Sequence, residues 1–202
     1  MITTQEERWA GPFGDAYTAR NRGRVDANKA LFSRIMASIQ EVKRVIEFGA
    51  GAGENLTALR HIMPFLHLVG VEINEQAVEL LGKSGADLVV HAAIAEACFV
   101  GEFDLAFTKG LLIHIAPQDL PIAFDRLYAA SRRYVLLCEY HSPRFEALDY
   151  RGEHGLLWKG PYAEMMLEHY SDLKVRDYGF AWSRDPIAPQ DDLFWALMEK
   201  KQ

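Results

Sequence analysis

Short apolar runs alternate with amphipathic stretches along the first two thirds of the chain. The apolar runs predict buried strands, and the stretches with apolar residues every three to four positions predict helices. The predicted strands lie around Val45 and Ile46 and at 68–72, 87–90, 103–108 and 134–139. The predicted helices lie at 26–40, 55–63, 74–81 and 118–131. Strands that alternate with helices in this order indicate an α/β fold with a mostly parallel sheet.

The last third of the chain has a different pattern. A polar, charged loop follows residue 140, a short strand is one reading of 156–159, and Pro161 opens a helix that runs to 169. Two further apolar stretches predict a late hairpin, which would give the sheet an antiparallel edge. These two stretches are 173–182 and 192–200. The sequence thus predicts seven strands with helices on both faces of the sheet.

We expect one domain over 1–202. Within it, 1–40 would form a lid and a helix, 41–140 a cofactor-binding core, and 141–202 substrate-side loops with the hairpin. A chain of 202 residues, half of them hydrophobic, can bury one good core.

Composition narrows the class of protein. The formal charge of −6 argues against general nucleic-acid binding, and no apolar run approaches the roughly 20 residues that span a bilayer. The acidic, polar start does not read as a signal peptide, so we expect a cytoplasmic protein. Cys98 and Cys138 stand far apart in apolar surroundings and are expected to be buried free thiols, with no metal site or disulfide.

Three glycines at alternate positions, Gly49, Gly51 and Gly53, follow the first predicted strand and precede a helix. Such a turn brings bare backbone and the free N–H groups of a helix close to a nucleotide-like ligand. Glu47 would place a carboxylate beside the turn, and Glu72 would end the next strand about 20 residues later, where ribose hydroxyls are bound. The alternative is an ordinary glycine-rich turn.

The spacing of the turn favours one kind of ligand. The dinucleotide fingerprint has its third glycine one residue later, and the Glu47 carboxylate would repel a pyrophosphate. A ligand with adenine, ribose and a cationic amino-acid tail fits better. That description matches S-adenosylmethionine, with S-adenosylhomocysteine as the product.

Aromatic and cationic residues crowd together at 8–24. One reading is a lid over the cofactor, with Tyr17 and Arg22 binding its carboxylate. The other is an N-terminal arm whose aromatic rings fill a groove.

The carboxyl ends of the fourth and fifth predicted strands supply the candidate chemistry. Thr108 and Lys109 should face the crevice, and Lys109 would contact an acidic substrate or pair with a carboxylate. His114 is the first candidate for a general base, and His141 is the second. Each histidine has the alternative of a structural role.

Candidate substrate contacts fall in the C-terminal third. Cations there could bind a sugar carboxylate or phosphate, and aromatic rings could stack on a sugar, although solvated surface and core packing are the alternatives. The candidates are Tyr140, Arg151, Trp158, Lys159 and Arg184.

The chain resembles a known group on four stretches: 9–14 with Tyr17 and 20–21; the glycine turn with 71–74; 107–115; and 177–180 with 184–185 and 189–192. It resembles the class I S-adenosylmethionine-dependent methyltransferases and is similar, more narrowly, to the pseudaminic acid biosynthesis-associated methylases.

The resemblance implies a Rossmann-like fold and a methyl donor bound across Glu47, the glycine turn and Glu72. Ile73 would lie against the adenine, with Ala93 and Ile94 at its far edge. The chain departs from the family pattern at Ala92 and Ala93, where small polar residues are more usual.

The expected activity is methyl transfer to O or N of a small acidic sugar or sugar nucleotide of a nonulosonic (pseudaminic) acid pathway. No nucleic acid or membrane partner is expected. The alternatives are a methyltransferase for another small metabolite and a non-catalytic module that binds S-adenosylmethionine.

Overall fold

The computed structural model describes residues 3–150 and 152–201, apart from the side chains at 153 and 154. The helices are α1 (Thr4–Ala10), α2 (Pro12–Arg20), α3 (Val25–Met36), α4 (Glu54–Ile62), α5 (Glu75–Leu81), α6 (Leu120–Ala130) and α7 (Tyr162–His169), with a 3-10 turn at Leu112–His114. The strands are β1 (Arg44–Phe48), β2 (His67–Glu72), β3 (Leu88–His91), β4 (Phe103–Lys109), β5 (Ser131–Glu139), β6 (Glu146–Tyr150), β7 (Glu153–Lys159), β8 (Leu173–Ala181) and β9 (Leu193–Lys200).

Seven of these strands form one sheet in the order β3-β2-β1-β4-β5-β9-β8. The first five are parallel, whereas β9 is antiparallel to β5 and β8 is antiparallel to β9. The predicted mostly parallel seven-stranded sheet with an antiparallel C-terminal hairpin is therefore confirmed. The strand order reverses between β1 and β4, and ligands of open α/β sheets bind in the crevice at such a point.

Alternate residues of the central strands enter two hydrophobic cores, one on each face of the sheet. On β5, Val135 and Leu137 join the core that contains residues of α6 and α7. Tyr134 and Leu136 join the core that contains residues of α3 and α4. A strand buried on both sides reads as a continuous apolar run, which is why β5 could be located from the sequence.

The N-terminal arm and the segment that follows β5 have a secondary structure different from the one expected from the sequence. The charged stretch expected to be a loop contains β6, which pairs with β7 as a separate two-stranded sheet. The N-terminal arm forms the two helices α1 and α2. Cys138 is buried as expected, but the prediction of a buried Cys98 is wrong, because this thiol is exposed on the stretch that leads to β4.

Across 3–150 and 152–201, no helix combines the length and the apolar character required to cross a membrane.

Candidate functional site

A cavity of about 330 Å³ lies at the carboxyl ends of β1, β2 and β4. Ligand pockets in proteins commonly begin at about this volume. Its walls come from the N-terminal helices, the glycine turn, the segments after β2, β3 and β4, and the loop before β9. The main lining residues are Gln5, Trp9, Tyr17, Arg24, Gly49, Gly51, Asn55, Glu72, Ile73, Ala93, Ile94, Lys109, His114, Asp119, Tyr140 and Asp191.

The glycine turn places main chain without side chains next to the cavity. Gly49, Gly51 and Gly53 have φ angles of +71°, +54° and +80°, which favour glycine. The N–H of Gly49 donates to the Val71 carbonyl at 2.9 Å, so the turn is fastened to β2. A Cβ added to Gly51 would meet no atom within 4 Å. Gly51 therefore presents bare backbone to open space, whereas Gly53 lies behind the wall against Ser84 and Leu81.

The Glu72 carboxylate lies at the end of β2 and is hydrogen-bonded to the main chain of the glycine turn. Its Oε2 accepts the Gly51 N–H at 2.7 Å, and its Oε1 accepts the N–H groups of Ile73 and Asn74, both at 2.9 Å. Burial raises the Glu72 pKa, and these N–H donors act in the opposite direction. A carboxylate has about four lone-pair sites, so roughly one remains for a ligand hydroxyl.

Glu47 is fully buried at the end of β1, directly behind the cavity-lining Asn55. Asn55 Nδ2 donates a 2.5 Å hydrogen bond to Glu47 Oε1. Glu47 Oε2 and Asn55 Oδ1 are both buried, and no atom of the described part of the chain donates a hydrogen bond to either. Burial raises the Glu47 pKa to about 8, because it penalises the charged form. Two unsatisfied acceptors on a pair of hydrogen-bonded side chains make this spot suited to a cationic donor.

Small apolar residues form the opposite end of the cavity. Ile73, Ala93 and Ile94 line it, as does Ile122 of α6. Arg126 Nε donates to the Ala95 carbonyl at 2.9 Å and holds α6 against the segment after β3. This end has the apolar character that suits a nucleobase.

Helices α1 and α2 close the cavity. Trp9 meets Tyr17 edge-on at a centroid distance of 5.1 Å and lies 4.2 Å from the His114 ring. Asn74 Nδ2 donates to Asp15 Oδ1 at 2.8 Å and to the Trp9 carbonyl at 3.2 Å, which fastens the two helices to α5. The rings of Trp9 and Tyr17 therefore line the cavity, while a lid that binds the carboxylate of the cofactor stays a prediction.

His114 is buried in the cavity wall. Its Nδ1 lies 2.9 Å from the Leu156 carbonyl, which can only accept, so Nδ1 carries the proton and Nε2 holds a lone pair. Burial lowers the His114 pKa to about 4. The imidazole is therefore neutral at physiological pH. Lys109, at the end of β4, lines the same cavity, and its charge favours the ionised form of Glu47.

Several predicted residues lie away from the cavity. Arg22 is half exposed and lies 3.8 Å from Glu54, and Thr108 is fully buried and does not line the cavity. His141 is bound to Glu164 at 2.9 Å, outside the cavity wall. Of the predicted substrate contacts, Tyr140 lines the cavity, whereas Trp158, Lys159 and Arg184 do not, and Arg151 lies outside the described residues.

The local structure around each of these residues explains why it does not line the cavity. Thr108 faces the interior on a central strand. Lys159 sits over the Tyr140 ring at 5.9 Å, and Trp158 and Lys159 belong to the paired β7 strand. Arg184 lies in the exposed loop between β8 and β9.

Sequence reasoning missed many polar residues of the cavity, among them Arg24, Asn55, Asn74, Asp119 and Asp191. Asn55 follows the glycine turn by two residues, which was a usable signal. Arg24 and Asp191 form an ion pair of 2.8 Å across 167 positions of sequence, and no local pattern reveals such a pair. Among residues 3–150 and 152–201, no group of three or more metal-binding side chains comes together.

The family described as "Methyltransferase domain" matches residues 18–185. The chain belongs to the methyltransferase domain family. The methyltransferase prediction is thereby confirmed at the level of the class. No curated protein matches the sequence of this methyltransferase.

Solved methyltransferase structures share its fold. A Burkholderia thailandensis 1,6-didemethyltoxoflavin-N1-methyltransferase is 14% identical, with a TM-score of 0.70 over 98% of this chain and 87% of that chain. Magnesium protoporphyrin IX methyltransferase of Synechocystis, with bound SAM, is 12% identical, with a TM-score of 0.69 over 98% of each chain. An amino pentose methyltransferase of Micromonospora echinaspora is 11% identical, with a TM-score of 0.65 over 95% and 97%. The predicted Rossmann-like class I methyltransferase fold is thus confirmed.

Proposed function

We propose that this methyltransferase transfers a methyl group from S-adenosylmethionine to an oxygen or nitrogen of a small acidic sugar or sugar nucleotide in the cytoplasm. S-Adenosylhomocysteine is the second product. When bound, the sulfonium cofactor supplies an electrophilic methyl group, so the protein has to align the acceptor, exclude water and accept one proton. The acceptor belongs to the nonulosonic (pseudaminic) acid pathway, as the sequence resemblance implies.

The pair of unsatisfied acceptors at Glu47 and Asn55 carries this proposal. An ammonium group has three N–H donors, and the amino-acid tail of S-adenosylmethionine ends in one. Its binding satisfies Glu47 Oε2 and Asn55 Oδ1, which otherwise remain buried without a donor. It also ionises Glu47, whose pKa is about 8 in the free protein.

The rest of the donor fits the same cavity. The remaining acceptor site of Glu72 suits a ribose hydroxyl, and Gly51 leaves room for the ligand beside the turn. The apolar end formed by Ile73, Ala93 and Ile94 suits the adenine. A pyrophosphate would instead face the Glu72 carboxylate, whose negative charge would repel it.

His114 acts as the general base. Its Nδ1–H donates to the Leu156 carbonyl, which fixes the ring and leaves the Nε2 lone pair to accept the proton of the acceptor. A base with a pKa of about 4 is weak, so alignment contributes more of the acceleration than proton removal does.

Lys109 and Arg24 are cations of the cavity wall, and Tyr17 and Tyr140 are rings that can stack on a sugar. These residues support an acidic sugar acceptor, and the amino pentose methyltransferase that shares the fold acts on a sugar. Methylation of another small metabolite is the enzymatic alternative, and donor binding without turnover is the non-catalytic one.

The test combines calorimetry with a product assay. S-Adenosylmethionine and S-adenosylhomocysteine are titrated into the wild-type chain, and Glu47→Gln is expected to weaken both about tenfold, because one acceptor of the ammonium is lost. Glu79→Gln, an exposed change on α5, serves as the matched control. Unchanged affinity in Glu47→Gln would show that the amino group is bound elsewhere.

The wild-type enzyme is then incubated with the donor and candidate nonulosonic acids or their nucleotide derivatives, and methylated product is measured by mass spectrometry. Product from another metabolite only would overturn the acceptor assignment. Donor binding without any product would favour the non-catalytic module.

A further inference from the structure

The apolar end of the cavity has no polar side chain on the segment that follows β3. Residues 92–95 read Ala-Ala-Ile-Ala, and all four line the cavity. Hydrocarbon contacts hold a purine ring but discriminate poorly between purines, because they do not test its exocyclic group. Adenine carries an amino donor at C6. A site that recognises this group needs an acceptor from another part of the chain.

Five acidic side chains line the cavity: Glu6, Glu54, Glu72, Asp119 and Asp191. Four of them are already engaged. Glu6 accepts the Thr3 N–H at 2.6 Å, and Glu54 accepts the N–H groups of Gly23 and Arg24. Glu72 accepts three main-chain N–H groups, and Asp191 pairs with Arg24.

Asp119 differs from the other four. No residue of 3–150 or 152–201 donates a hydrogen bond to its carboxylate or forms an ion pair with it. It occupies the N-cap position of α6, where an aspartate side chain usually accepts a main-chain N–H, yet no such bond forms. Asp119 therefore lines the cavity, and its carboxylate has no hydrogen-bond partner among the described residues.

The position of Asp119 is fixed relative to the apolar end. Ile122 and Ala123, one turn further along α6, line the cavity together with it. The bond from Arg126 to the Ala95 carbonyl ties the same helix to the segment after β3. Asp119 and the alanine-rich wall thus belong to two cavity-lining elements that this hydrogen bond joins.

We infer that Asp119 accepts a hydrogen bond from the 6-amino group of the donor's adenine and makes the donor site selective for adenine. This inference rests on the proposed function, because it requires the nucleoside of S-adenosylmethionine at this end of the cavity. Asp119 takes the place of the acceptor that the small apolar residues 92–95 cannot provide.

The test compares two ligands by calorimetry: S-adenosylhomocysteine and its analogue with hydrogen in place of the 6-amino group. The wild-type chain is expected to bind S-adenosylhomocysteine about tenfold more tightly than the analogue, because only S-adenosylhomocysteine donates a hydrogen bond to Asp119. In Asp119→Ala the ratio of the two affinities falls to about one, mainly through weaker binding of S-adenosylhomocysteine.

Asp119→Asn provides a second variant that keeps a favourable N-cap residue, so its fold is preserved. Its amide can still accept through Oδ1, but without charge, and the ratio is expected to lie between those of wild type and Asp119→Ala. Glu96→Gln removes a carboxylate from the exposed surface beside the same segment and is the matched control. Its ratio should equal that of wild type.

Two outcomes would overturn the inference. One is an unchanged affinity ratio in Asp119→Ala, and the other is an equal loss of affinity for both ligands. A wild-type chain that binds neither ligand would instead contradict the proposed function, so the two failures are distinguishable.

Discussion

The side-chain amide of Gln5 donates a 2.6 Å hydrogen bond to the main-chain carbonyl of His114, 109 positions away in the sequence. Its Oε1 accepts the Ala116 N–H at 2.9 Å, so one glutamine bridges α1 and the segment that follows β4. Helix α1 has no buried residue of its own. Its docking therefore depends on this bridge, on the contact of Trp9 with His114 and on the hydrogen bond from Asn74 to the Trp9 carbonyl.

Gln5→Ala tests the bridge. Loss of two hydrogen bonds is expected to weaken the docking of α1 by about 1–2 kcal/mol. Hydrogen exchange of the amides in α1 should then be about tenfold faster, while the amides of β1, β4 and β5 keep their protection. Glu7→Ala changes an exposed side chain of the same helix and should leave exchange unaltered. Equal exchange in Gln5→Ala and wild type would show that the bridge does not hold the helix.

Gly49→Ala is expected to lower mainly the stability of the protein, whereas Gly51→Ala is expected to weaken mainly ligand binding. A Cβ at Gly49 would lie 2.7 Å from Leu111 Cδ1, and the φ of +71° adds strain, so the variant should lose stability. A Cβ at Gly51 meets no neighbour, so Gly51→Ala should lose only about 1–2 kcal/mol for its φ of +54°. The added methyl group would instead occupy the space beside the turn that we propose for the donor.

Thermal unfolding and calorimetry with S-adenosylhomocysteine separate the two effects. Gly49→Ala should have the lower Tm, and Gly51→Ala should keep most of its stability but bind the ligand at least tenfold more weakly. Tight ligand binding by Gly51→Ala would place the ligand away from the turn.

The pH dependence of turnover should show the His114 pKa. Burial holds this pKa at about 4, below the usual 6.5, so the neutral base is present at all pH values well above 4. The kcat should fall as the pH is lowered, with a midpoint near pH 4, because protonation of His114 removes the base. His114→Ala should lower kcat about 100-fold while leaving the dissociation constant of S-adenosylhomocysteine within a factor of a few. An acid limb at pH 6.5 would contradict the buried, neutral histidine.

The buried Glu139 is expected to make the stability of the protein depend on pH. Burial raises its pKa to about 7, against 4.5 for a free glutamate, although the N–H groups of Leu111 and Ile113 donate to it at 3.2 and 3.4 Å. The folded state therefore binds the proton more tightly than the unfolded state. The stabilisation that follows is complete below pH 4.5 and is lost as the pH rises through about 7.

Glu139→Gln removes this titration. The Tm of the variant minus that of wild type should become more positive between pH 5 and pH 8, because only the wild-type side chain ionises in the folded state. Glu168→Gln, on the surface of α7, should show a constant difference. A constant difference for Glu139→Gln as well would show that Glu139 does not titrate in this range.

The central strands β1, β2, β4 and β5 could be predicted from the sequence because they are buried on both faces and are therefore largely apolar. The turn at Gly49 was recognisable for a related reason, since only glycine fits three positive φ angles in five residues. The β6–β7 hairpin was not recognised, because its first strand is largely exposed and carries charges that also suit a loop.

Most of the predicted residues that line the cavity follow a strand closely, whereas Tyr17 was predicted from the crowding of aromatic and cationic residues at 8–24. Glu72 and Ile73 line it because parallel strands end at the same edge of the sheet. Trp9, Asp119 and Asp191 come from three distant segments, and their convergence depends on how helices dock, which no local pattern encodes. Arg22 was placed at the cofactor by composition alone, and the structure turns it toward Glu54 instead.

The two cysteines provide a practical route to following ligand binding. Cys98 is exposed, whereas burial raises the pKa of Cys138 to about 12 and keeps its thiol unreactive. A maleimide dye should therefore attach at one position without any engineered residue. That position lies three residues beyond Ala95 in the cavity wall, so the dye would report by its emission when a nucleoside enters.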